Sequence, residues 1–114
     1  MGYVKVREVN LERGMPTVPV ALNKMVNELS TAKMSGQKAV ILVHGYGSSG
    51  VGGGIKVGVK AKLKEPYLSG IIRKFCGGEQ WMDNKKDFLT VCPQLKDFSS
   101  YVDGNKGITI VLLK

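Results

Sequence analysis

The chain is poor in the residues from which most metal and catalytic centres are built. It has one histidine, His44, and two cysteines, Cys76 and Cys92, sixteen positions apart. There is no Cys-x-x-Cys and no Cys/His cluster, which excludes a structural zinc site by spacing. The two thiols are expected to be reduced and half-buried. No apolar run approaches the ~18 to 20 residues of a membrane span. Met1 to Arg7 alternates and is charged, unlike a signal peptide, so the expected setting is cytoplasmic, without membrane contact. Internal repeats and low-complexity tails are also missing.

Acidic residues are scarce as well: nine against 17 lysines and arginines, for a net charge of +8 and a pI near 9.6. Such a balance favours anionic partners, either nucleic acid or a phosphorylated ligand. With 114 residues the chain is long enough for one domain with a real core.

What is present is organised around residues 37–64. Ala39-Val40-Ile41-Leu42-Val43 is a continuous apolar run, which predicts a strand over 38–44 that is central or buried on both sides. His44-Gly45-Tyr46-Gly47-Ser48-Ser49-Gly50-Val51-Gly52-Gly53-Gly54 follows as a glycine loop. Ile55, Val59 and Leu63 then mark the buried side of a helix starting past the glycines, and Lys56, Lys60 and Lys64 form a basic stripe beside it. A strand, a glycine loop and a helix N-terminus together form a ready anion site.

Upstream, residues 3–11 alternate as a first strand broken by Arg13-Gly14-Met15-Pro16. Thr17 caps a helix in which Val18, Leu22, Met25, Leu29 and Ala32 share a face, and Gly36 ends it. Strand, helix and strand predict a βαβ unit with parallel strands. Downstream, 71–76 is a third strand. Residues 79–83 read as a loop held by Trp81, and Asn84 caps a short helix carrying Phe88, Leu89 and Cys92. Asp103-Gly104-Asn105-Lys106-Gly107 is a turn before a last strand, Ile108 to Leu113. The predicted class is a two-layer α/β domain, β-α-β-α-β-β.

Gly45-x-Gly47-x-x-Gly50 matches the dinucleotide fingerprint in letters, but no acidic residue ends the following strand and too few strands are available. Val51 follows Gly50 where a P-loop requires lysine. Ser48 and Ser49 lack a Gly-x-Ser-x-Gly elbow.

His44-Gly45-Tyr46-Gly47 at a strand end, followed by Gly50, Gly53 and a basic helix, resembles the Smr (small MutS-related) domain, whose hallmark is His-Gly-x-Gly in this position. The resemblance covers nearly the whole chain. It implies a small mixed four-stranded sheet with helices, similar to the C-terminal domain of translation initiation factor three. It also implies a DNA- or RNA-binding function, with strand nicking in several members. Phosphate-facing groups would be Gly45, Tyr46, Gly47, Ser48, Ser49, Gly50, Gly53, Lys56, Lys60, Lys64 and Arg13. His44 would act as general acid/base. The family's Leu-Asp-x-His, tied to nuclease activity, is here Val9-Asn10-Leu11-Glu12. Asn10 cannot serve as a base, whereas Glu12 can, alone or with Mg²⁺ or Mn²⁺. No resident metal or other cofactor is implied, and the oligomeric state is left open. Two other readings fit the residues: a module for a small phosphorylated ligand, and an adaptor whose basic face meets an acidic protein.

Overall fold

The computed structural model describes residues 4–46 and 51–114. Its elements run β1 (Val6–Asn10), α1 (Val18–Met34), β2 (Ala39–Val43), α2 (Val51–Leu63), β3 (Ile72–Gly77), α3 (Trp81–Val91), α4 (Ser99–Val102) and β4 (Ile108–Leu113), with short 3₁₀ turns before β3 and around α3. The four strands form one mixed sheet in the order β1-β2-β4-β3. β1 and β2 are parallel, joined through α1 as the strand–helix–strand pattern requires. β4 inserts between β2 and β3 and runs against both.

The α/β class, the element order and the small mixed sheet are as expected. The number of layers is not. β2 and β4 are buried on both faces. Val40, Leu42, Val111 and Leu113 meet α1 and α2 on one side. Ala39, Ile41, Ile108, Ile110 and Leu112 meet Trp81, Phe88, Leu95 and Val102 on the other. Helices therefore cover both faces, giving three layers. The continuous apolar sequence of both strands demands this, since a face open to water would alternate.

Residues 79–106 supply the second layer. Trp81 opens α3 instead of closing a loop, is 1% exposed and meets Phe88 edge-on with ring centroids 5.8 Å apart. Asn84 lies inside the first turn of α3, where its Nδ2 donates to the Gln80 carbonyl, rather than at the cap.

A second correction concerns α2, which begins at Val51 and takes in Gly52-Gly53-Gly54, where a later start was expected. Each helical glycine sacrifices up to ~1 kcal/mol of propensity. Packing overrides that loss. A Cβ at Gly54 would stand 3.2 Å from Val18 Cγ2, and one at Gly58 would stand 3.0 Å from Leu22 Cδ1. These two positions, four apart on one helix face, let α2 lie close against α1. α1 itself starts as expected, with Thr17 Oγ1 accepting from the Val20 N–H.

Candidate nucleic-acid interface

Because β1, β2 and β3 run one way and β4 the other, one end of the sheet gathers three strand C-termini, the start of β4 and the start of α2. Glu12, Arg13, His44, Gly45, Tyr46 and Lys56 all fall at that end. Gly47, Ser48, Ser49 and Gly50 lie outside the described residues. Gly53 is in the first turn of α2.

His44 continues the α2-facing register of β2 and is fully buried. Its Nδ1–H donates to the Gly45 carbonyl at 2.6 Å. Its Nε2, the acceptor in that tautomer, lies 2.8 Å from Thr109 Oγ1, which donates to it. Burial holds the imidazole pKa below 6.5; the Gly45 bond opposes this, and Lys56 and Lys60 add to it. The ring is therefore neutral at pH 7, with both nitrogens engaged inside the protein. The expected acid/base role needs a nitrogen facing a phosphate, and neither does so here. What the side chain does in this arrangement is tie the end of β2 to β4.

The backbone reinforces that tie. The N–H groups of His44 and Gly45 both donate to the Gly107 carbonyl, at 2.9 and 3.1 Å. Gly45 has φ +70°, a conformation cheap only without a Cβ. A Cβ there would also collide with the Glu12 carboxylate, which lies directly over this glycine.

Glu12 is brought there by a turn. Asn10 Oδ1 accepts from the N–H groups of Glu12 and Arg13 at 3.0 and 2.9 Å, an Asx turn that ends β1. Asn10 is therefore a turn builder. Glu12, Gly45, Tyr46, Tyr101, Asn105 and Gly107 line a cleft of about 420 Å³. Tyr46 is 60% exposed and Tyr101 44%. An adjoining recess of about 320 Å³ shares Val43 and Tyr101 with it and carries Arg13 and Lys24 alongside Glu8 and Glu28, which bond to Tyr101 and Arg7.

Tyr101, Asn105 and Lys24 have no place in the sequence reading of the site. The first two come from the 79–106 segment, which carries no motif. Tyr101 donates to Glu8 Oε2 at 2.6 Å, and this bond, with partial burial, pushes its phenol up to about 12. Asn105 Oδ1 accepts from Gly107 N–H at 2.9 Å, so it shapes the wall of the cleft. Lys24 lies on the exposed side of α1, and its Nζ reaches the Asn10 carbonyl at 3.0 Å.

The lysine stripe is divided. Lys56 pairs with Glu79 Oε2 at 2.7 Å beside the end of β3. Burial works against the Glu79 carboxylate, but the Lys56 hydrogen bond and the charges of Lys56 and Lys60 outweigh it and hold the pKa below the usual range. Lys64 lies roughly 12 Å further along the helix axis, beyond α2, in a recess with Arg73 and Lys74 at the opposite end of the sheet. The structure brings Glu12, Gly45 and Tyr46 together, sets Arg13 beside them, and leaves Lys64 apart.

Among the described residues no three His, Cys, Asp or Glu side chains converge as a metal site. Among the described residues that line the cleft, Glu12 is the single carboxylate. No described helix is long and apolar enough to cross a membrane.

No family model matches the chain, and no curated protein does. Among solved structures, the fold is similar to that of the Smr domain of Thermus thermophilus MutS2, at 23% identity and a TM-score of 0.59. The likeness spans 95% of this chain and 98% of that one. The chain has the fold of an Smr domain.

Proposed function

We propose that this domain binds nucleic acid at the end of its sheet, as a binding module rather than a nuclease. The observation that carries the reading is the cleft between Glu12, Gly45, Tyr46 and Tyr101 with Arg13 and Lys24 in the adjoining recess, on a chain of net charge +8. Exposed tyrosines beside basic side chains suit stacking combined with backbone attraction. The fold shared with the Smr domain of MutS2 agrees with it. Cleavage is left out because His44 is enclosed and, among the described residues, Glu12 is the one carboxylate lining the cleft, with no histidine beside it.

Fluorescence anisotropy with labelled single- and double-stranded oligonucleotides over a salt series tests this. Four phosphate contacts, from Arg13, Lys24, Lys56 and Lys60, would give log–log slopes of roughly −4 on duplex and −3 on single strands. Lys56→Glu with Lys60→Glu should weaken binding more than Lys64→Glu. A slope near zero would overturn the electrostatic part. Supercoiled plasmid incubated with Mg²⁺, Mn²⁺ or EDTA should stay supercoiled; nicking that disappears in Glu12→Gln would replace the binding module with an enzyme.

A further inference from the structure

The chemistry of the cleft specifies which part of a nucleic acid enters it. Glu12 is the one charged side chain lining the cleft, and it sits against Gly45 at its floor. A phosphate placed there would meet a like charge at contact distance. The cations lie outside, at Arg13 and Lys24 in the adjoining recess, whose carboxylates Glu8 and Glu28 are engaged by Tyr101 and Arg7, and at Lys56 beside Glu79. The backbone therefore belongs on the rim and the base inside.

A carboxylate only accepts hydrogen bonds, so the group facing Glu12 must donate. Guanine offers two adjacent donors, N1–H and the N2 amine, which match the two carboxylate oxygens. Adenine and cytosine offer an amine alone, and thymine or uracil one imide N–H. In a duplex the Watson–Crick edge is occupied, so only an unpaired base can present it. Tyr46 and Tyr101 supply the aromatic surface an unstacked base needs, and the bond from Tyr101 to Glu8 holds that side chain in place. Asn105 makes one internal bond from each end of its amide, to Tyr101 O and to Gly107 N–H, which fixes its orientation in the wall of the cleft. A volume of about 420 Å³ lies within the range of small-ligand sites.

We propose that the cleft captures a single unpaired base and prefers guanine, with the base edge on Glu12 and its ring against Tyr46 and Tyr101. This rests on the nucleic-acid reading above and names what that site selects.

The test uses the full chain and labelled twelve-nucleotide strands: oligothymidine, the same strand with one central guanine, and the same strand with inosine, which keeps N1–H and lacks the amine. Guanine should bind about tenfold tighter than thymidine alone, with inosine between them. Glu12→Gln should collapse the guanine-to-thymidine ratio toward one. Tyr46→Ala should weaken single-strand binding about tenfold more than duplex binding. Both side chains are exposed, so circular dichroism should report wild-type folding. Equal binding of all three strands, with no change of ratio in Glu12→Gln, would overturn the base pocket and leave the binding module standing. No binding of any strand or duplex at low salt would remove the nucleic-acid reading itself.

Discussion

The tie between His44 and Thr109 gives a prediction free of assumptions about ligand. Thr109 is 1% exposed and its hydroxyl is 2.8 Å from His44 Nε2. Thr109→Val keeps the branched shape and removes the donor. The ring nitrogen then stays buried without a partner, at a cost of roughly 1–3 kcal/mol. With a urea m-value of about 2 kcal/mol/M for a domain of this size, the unfolding midpoint should fall by roughly 1 M at pH 7.5. The wild type should also show a pH signature. The unfolded imidazole titrates near 6.5, and burial holds the folded one lower. Between those two values the unfolded chain takes up a proton and the folded chain does not. The contribution is therefore complete above pH 6.5 and is lost as pH falls through the folded pKa. Because the chain has a single histidine, no other imidazole blurs the curve. Urea titrations of the wild type from pH 7.5 to 5.5 should show falling stability, and His44→Gln should abolish that slope. A Thr109→Val unfolding free energy within about 0.5 kcal/mol of wild type would refute the latch, as would a flat wild-type curve.

Three further outcomes follow from other contacts. Glu79→Gln removes the carboxylate that pairs with Lys56, so nucleic-acid affinity measured by anisotropy at low salt should rise a few-fold; an unchanged affinity would place Lys56 outside the interface. Cys76 and Cys92 are both buried, and burial pushes the Cys76 thiol up to about 11, so a disulfide-exchange reagent at pH 8 should label neither until urea unfolds the chain; fast labelling would contradict their burial. Gly45→Ala strains a backbone at φ +70° by about 1 kcal/mol and drives the Glu12 side chain off the cleft floor, so it should lower the melting temperature slightly and erase guanine preference as Glu12→Gln does.

The elements with strong periodicity were legible. The continuous apolar runs announced β2 and β4, and the Val18–Ala32 stripe with its Thr17 cap announced α1. The start of α2 is not legible, because Gly52-Gly53-Gly54 reads as loop, whereas Gly54, like Gly58 within the helix, is a contact residue whose partner on α1 lies more than thirty positions away. The second helical layer was hidden for a similar reason. Trp81, Phe88, Leu95 and Val102 are spaced across one helix, a 3₁₀ turn and a second short helix, so no single period shows them as one face. Of the site, His44, Gly45 and Glu12 were visible through a motif and its departure. Tyr101 and Asn105 became visible only once the chain had folded back to the ends of β1 and β2.

These placements bear on what a His-Gly pair can contribute here without reacting. The imidazole reaches Thr109, two backbone N–H groups reach the Gly107 carbonyl, and a Cβ at Gly107 would stand only 3.2 Å from Gly45 Cα. All of these contacts fix where Gly45 sits, and Gly45 in turn leaves the room that the Glu12 carboxylate fills. The Asn10 turn sets Glu12 from the other side. The motif therefore builds the floor of a cleft, while the chemistry of that cleft is decided by the residue two places past Asn10. A histidine there could donate to phosphate, whereas a carboxylate only accepts, so under the proposed reading Glu12 turns the cleft from the backbone to the edge of a base.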